Sequence, residues 1–186
     1  MATMLERMIG AAKLDPATYE EVEGDPSATG QAMVVVVLSA VAAGIGGISL
    51  GAKGFVVALI SALVGWFVWA GLTFVIGTKL LPESGTQADF GQLLRTIGFS
   101  ASPGVLQVAG VVPVLGAVVA FFASLWMLAA MVVAVRQALD YKSLGRAIVV
   151  CLLGWLVNIA ITVVLVLMFG LASGMAGGFG GTPAVP

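Results

Sequence analysis

The chain has no histidine, a single cysteine, and charged side chains at only 9% of its 186 positions. Without histidine it lacks the commonest zinc ligand, the usual haem ligand and the commonest general base. Cys151 lies in an apolar run, so it forms neither an intrachain disulfide nor a cysteine-rich metal centre. Eight basic residues against nine acidic ones give a net charge of -1, too little positive surface for nucleic acid. No Gly-Lys-Ser/Thr follows a strand, so a phosphate-binding glycine loop is missing too. An enzyme active site is not legible, and no cofactor or metal is expected.

What remains is apolar: 60% of residues are hydrophobic and the mean hydropathy is +1.13, which suits a bilayer rather than water. The N-terminus is acidic and the first apolar run begins near Gln31. That pattern predicts an uncleaved first span rather than a signal peptide. A charge at a helix centre costs about 2.5 to 3.5 kcal/mol on insertion, so charged residues mark the ends of spans. A span takes about 20 residues at ~1.5 Å rise. The uncharged run 96–135 is therefore two helices, joined at Ala109-Gly110-Val111-Val112-Pro113 with Pro113 opening the second.

The expected fold is an all-α integral membrane protein, a five-helix transmembrane bundle with spans near 31–50, 55–77, 91–111, 113–135 and 147–170. The third span carries Arg95, Ser100, Ser102 and Gln107, with Pro103 at its centre, so a kink or re-entrant course is open there. With the N-terminus cytoplasmic and the C-terminus external, Arg7, Lys13, Lys79, Arg95, Arg136, Lys142 and Arg146 fall inside and Lys53 outside. If the third segment failed to cross, the basic residues would divide equally between the two sides. Residues 1–30 form a cytoplasmic arm with two Asp-Pro helix starts, at Asp15-Pro16 and Asp25-Pro26. Residues 4–14 read as a weakly amphipathic helix, poorly attracted to anionic lipid because the arm is acidic. The glycine- and proline-rich tail, 171–186, is expected to be flexible.

Three segments in this order carry a resemblance: Leu14-Asp15-Pro16-Ala17-Thr18-Tyr19-Glu20, then Phe90-Gly91-Gln92-Leu93-Leu94-Arg95 running into Gly98-Phe99-Ser100-Ala101-Ser102-Pro103, then Val112-Pro113-Val114-Leu115-Gly116. The chain resembles the Yip domain family, the Ypt-interacting proteins, in its compact bacterial form. The resemblance implies five helices with a cytoplasmic N-terminus. Eukaryotic relatives are linked to Rab-type GTPases through a longer cytosolic region with an Asp-Leu-Tyr-Gly-Pro type motif. This chain has a short arm and no such motif, so a GTPase partner is not carried over.

Arg95 sits shallow enough in its span to snorkel to lipid headgroups, or to form an intramembrane ion pair with Asp89 or Asp140. Thr96, Ser100, Pro103, Gly104 and Gln107 follow helical spacing on the third span, as do Cys151, Gly154, Asn158 and Thr162 on the fifth. These two polar stripes predict that the helices pack together, with Asn158 at the depth of Ser102 bonded across the interface. Trp66, Trp126 and Trp155 lie well inside their spans, which predicts packing within the bundle or, as the alternative, a lipid or quinone pocket walled by them in which Arg95 alone could orient a headgroup. Small-xxx-small pairs at Gly47/Gly51 and Ser61/Gly65, and along Gly170/Gly174/Gly178, predict close helix contacts within the chain or with another subunit.

The functional expectation is a non-enzymatic scaffold or adaptor in the cell inner (plasma) membrane, with the lipid bilayer, other membrane proteins or itself as partners and no nucleic acid. Its alternatives are a small permease or channel, which would usually carry an intramembrane carboxylate, and an accessory subunit of a larger membrane complex.

Overall fold

The computed structural model describes residues 2–46, 51–112 and 114–178, with backbone alone at 51, 52, 162 and 165–178. Every element among them is helical. Helix α1 (Met4–Ala12) opens with a capping box, in which Thr3 and Glu6 satisfy each other's backbone N–H groups. Helix α2 (Pro16–Gly24) starts on Asp15, whose carboxylate accepts from Ala17 N–H, with Pro16 where a missing N–H does no harm. Then follow α3 (Ala28–Gly46), α4 (Gly51–Val75, continued by a π-turn over Ile76–Leu80), α5 (Phe90–Ser100), a 3-10 segment (Ser102–Val111), α6 (Leu115–Ala138) and α7 (Leu144–Gly178).

Among the described residues, four helical stretches are long and apolar enough to cross a membrane: Ala28–Gly46, Lys53–Leu80, Leu115–Ala138 and Leu144–Ile161. Their packing is inside out by soluble standards. On α6 the buried positions include Ala123, Ala130 and Ala134, while Phe121, Phe122, Leu125 and Leu128 face outward. Small residues let helix backbones approach, and the bilayer accepts the large ones.

The expected third span, 91–111, is not one α-helix. It breaks after Ser100 because Pro103 has no N–H to offer the carbonyl of Phe99, and its ring would collide there. The Ser102 hydroxyl donates to that carbonyl instead, at 2.6 Å, and the Ser100 hydroxyl donates to Ile97 O at 2.7 Å. Beyond the break the chain continues as the 3-10 segment in the same general direction, alongside α3. Three close approaches follow that course: Gly98 against Ala32, Gly104 against Ser39, and Gly110 against the backbone of Gly46. Helix α6 then returns antiparallel, with Met127 beside Gly104 and Gly116 against Ala109 and Gly110. A Cβ on Gly110 would lie 2.7 Å from Gly46 Cα, so this three-way crossing requires glycine. The Gly47 member of the expected small-residue pair and the helix-opening Pro113 lie outside the described residues, as does 179–186 of the expected tail. Residues 171–178 continue α7.

At the opposite end of the bundle, two loops interlock. The Tyr141 hydroxyl donates to Gly77 O (3.0 Å) and Leu81 O (2.7 Å), carbonyls freed at the π-turn. Arg146 donates to Pro82 O and pairs with Glu83 at 3.3 Å, while Lys142 N–H donates to Glu83. The segments after α4 and after α6 therefore lie side by side, at the same end as the arm.

Candidate functional site

Two constellations emerge, one joining the arm to the bundle and one inside it. Arg7 on α1 is 2% exposed, and its guanidinium donates to Glu21 (3.0 Å), Asp25 (2.7 Å) and Gln31 (3.0 Å). This ties α1 to the end of α2 and the start of α3. Asp25 is held below its ordinary carboxylate range by the Ser27 hydroxyl and by Arg7. Tyr19, fully buried, donates to Ala11 O at 3.1 Å, and its burial raises the phenol.

Arg95 takes neither course expected of it: it does not snorkel, and no ion pair among the described residues joins it to Asp89 or Asp140. It is buried at 7% exposure, and its Nε donates to Val22 O (3.0 Å) and Glu23 O (3.1 Å), with Nη2 also on Glu23 O. The last carbonyls of a helix lack intrahelical donors and carry the negative end of its dipole, so a cation fits there. Asp89 instead caps α5, accepting from Gln92 N–H at 2.8 Å. Asp140 follows α6 with a left-handed backbone, φ 52°. Both carboxylates act on Glu23 at a distance. Burial first, then Asp140, Glu20 and Asp89, push the Glu23 carboxyl up to about 7, with Arg95 opposing. The arm is fastened further by Gln137 donating to Glu20 at 3.1 Å and by the Trp126 indole N–H donating to Ala12 O at 2.6 Å.

Inside the bundle lies an open cleft of about 460 Å³, reached by Ser39 of α3, Trp66 and Trp69 of α4, Ser100 of α5, Gln107 of the 3-10 segment and Asn158 of α7. Residues of both polar stripes thus line one cleft. Helix α7 packs along α6 and α4 and makes no extended contact with α5. Gln107 donates weakly to the Met127 sulfur at 3.6 Å. Ser102 and Pro103 lie outside the cleft lining, at the helix break, and the side chain of Thr162 is outside the described residues. Among the described residues no charged side chain lines the cleft.

The tryptophans divide differently from the expectation of interior packing. Trp66 is buried, its N–H on Leu94 O at 2.9 Å, whereas Trp126 and Trp155 are 42% and 56% exposed on the outer faces of α6 and α7. The fourth, Trp69, was missed by sequence reasoning, although it follows Trp66 by three residues on the same helical face. Its Nε1 is buried with no hydrogen-bond partner. A second cleft of about 360 Å³, walled by Leu128, Cys151, Leu152 and Trp155 on α6 and α7, shares Trp69 and Met131 with the first.

Compared with known proteins, residues 14–166 match the family model of the Yip1 domain, from the turn before α2 to well inside α7. No curated protein and no solved structure matches the chain.

Proposed function

The chain belongs to the Yip1 domain family, and we propose that it serves as a non-enzymatic membrane scaffold or adaptor, crossing the inner (plasma) membrane five times with its arm in the cytoplasm. The observation that carries this reading is the use made of Arg95. The buried arginine of α5 fastens the arm to the bundle instead of lining a path through it. Such an arm is held in one pose, as a surface offered to other membrane proteins should be.

The topology has support of its own. The eleven residues of α5 rise ~16 Å and the ten of the 3-10 segment ~20 Å, together roughly 36 Å against a hydrocarbon core of about 30 Å. Arg7, Arg95, Arg136, Lys142 and Arg146 gather at the arm end, while Lys53 begins the α4 span at the other. That is the asymmetry expected of a cytoplasmic face. Impermeant thiol reagents applied to a Cys151→Ser background should label Lys53→Cys from outside the cell, and Lys142→Cys only after permeabilisation. Labelling of Lys142→Cys in intact cells would defeat the topology. The adaptor role itself is tested by mild-detergent co-purification of the intact chain and of Arg95→Gln. A partner set that needs the docked arm is lost from the variant, and identical recovery with both chains argues against the reading.

The polar lining of the interior cleft favours a second reading, a small permease. With no carboxylate in that lining, transport would be uncoupled from protons or sodium. Flux of a defined solute into vesicles, abolished by Asn158→Leu, would establish it over the adaptor.

A further inference from the structure

The hairpin of α1 and α2 reaches deeper than an arm in water would. Its open end is fixed near the ends of the spans: Arg7 donates to Gln31 in the first turn of α3, and Gln137 at the end of α6 donates to Glu20. Its closed end is elsewhere. The carbonyl of Ala12, last in α1, accepts from the indole of Trp126, which stands twelve residues before the end of α6 and so ~18 Å from it. That level is the middle of the bundle on the other helices too. Met127, next to Trp126, lies beside Gly104 of the 3-10 segment, which in turn faces Ser39, eleven residues into α3. Helix α3 has only 19 residues, ~28 Å, against a hydrocarbon core of about 30 Å, so hydrocarbon must reach both of its ends. The closed end of the hairpin therefore stands at the depth of acyl chains. In keeping with this, α1 packs against the 3-10 segment beyond the helix break as well as against α5 and α6.

The outward side chains of α1 suit that depth. Leu5 and Ile9, one turn apart, are 63% and 46% exposed, and the bond from Trp126 to Ala12 joins this face to the outer face of α6, where Phe122 and Leu125 are exposed as well. The ion pairs of Arg7, and the crossing of α1 and α2 where Thr18 presses on Gly10, hold the hairpin in one pose.

We propose that this hairpin is seated within the cytoplasmic leaflet, with Leu5 and Ile9 against lipid acyl chains, so that α1 is a lipid-contacting surface of the protein. The hairpin enters and leaves on the cytoplasmic side, and the five-span topology is needed only for the choice of leaflet. The acidity of the arm does not oppose the seating, because contacts with α5 and α6 hold the hairpin at this depth and no attraction to anionic lipid is required. The charges of the turn are its cost. Asp15 keeps two hydrogen bonds there, from Ala17 N–H at 3.2 Å and from the Thr18 hydroxyl at 2.8 Å. Lys13 is exposed, and its ammonium, on a flexible stem, reaches toward headgroups and water drawn in beside it.

The full chain carrying Cys151→Ser, in phosphatidylcholine nanodiscs, provides the test. Both faces of a nanodisc meet water, so the outcome does not depend on which way the chain is oriented in a cell. A fluorophore is attached at Ile9→Cys, with Leu5→Cys as a second site. Val64→Cys on the outward face of α4 serves as the lipid reference, and Ser84→Cys in the exposed loop after α4 serves as the water reference. Phosphatidylcholine brominated midway along its chains should quench the α1 probes as it quenches Val64→Cys, and the strong quenching by aqueous iodide seen at Ser84→Cys should be lost. Iodide quenching equal to that at Ser84→Cys overturns the proposal. So does protection from both quenchers, which would give this face to a second copy of the chain. A second measurement leaves α1 unlabelled: Lys13→Leu removes a charge from hydrocarbon depth and should raise the unfolding midpoint by about 5 °C. An unchanged or lowered midpoint would return the turn to water and overturn the seating.

Discussion

The two buried polar regions of this molecule are built on opposite terms. Where the arm meets the bundle, both buried cations are hydrogen-bonded: Arg7 reaches two carboxylates and an amide, and Arg95 reaches the carbonyls that end α2. In the interior cleft the polar groups are uncharged, the space between them is wide, and one buried donor is unmet. The difference teaches that burial alone does not identify a working site. A charge removed from water must be paired or hydrogen-bonded to be tolerated, so this region reads as a fastening. Neutral groups can be left facing a cleft at a cost small enough to be recovered on binding.

Four perturbations sharpen or break this contrast. The largest effect is expected for Arg95→Leu, which strips the α2 carbonyls of their donor and leaves Glu23 without its nearby cation. A loss of about 3 kcal/mol is expected, read as lower thermal stability and faster backbone hydrogen exchange across residues 16–25. An unchanged exchange pattern there would mean that Arg95 does not hold the arm. Next comes Gly110→Ala, which presses a methyl group onto the backbone of Gly46 and should cost about 1 to 3 kcal/mol. A lowered unfolding midpoint checks it.

A smaller effect comes from Glu23, whose carboxyl is raised from 4.5 to about 7 on folding. Between those values the folded state binds more protons than the unfolded one, so stability falls as pH rises. Its contribution is complete below pH 4.5 and is lost as pH passes through 7. Docking of the arm should therefore loosen as pH rises from 4.5 to about 7, and Glu23→Gln should flatten the dependence measured by limited proteolysis. The least effect is expected for Gly65→Val, within ~0.5 kcal/mol of the parent because the new side chain enters open space. If it destabilised the chain as much as Gly110→Ala, the cleft would be a packed interior after all.

Particular residues show how far the sequence could be read. Pro103 announced the break in the third span, because its missing N–H is a property of the residue itself. The shared company of Ser100, Gln107 and Asn158 was foreshadowed by helical spacing. Arg95 was recognisable as a residue needing an explanation, but its partners stand more than seventy positions away and are backbone carbonyls, which every residue carries. Arg7 was hidden for a similar reason: in an acidic arm it reads as a solvated charge. Trp126 and Trp155 misled because depth along a span says nothing about which way a side chain points around it.

What the sequence determined by itself is therefore the solvent of this protein, the course of its apolar helices and the place where one of them breaks. Hydropathy, charge cost and proline chemistry act within a few residues of where they are written. Only the tertiary structure decided which groups answer one another, that Arg95 closes α2 and that Trp69 opens between two clefts. Helices of similar composition can rotate and pair in many ways, and the choice among them belongs to contacts between distant parts of the chain.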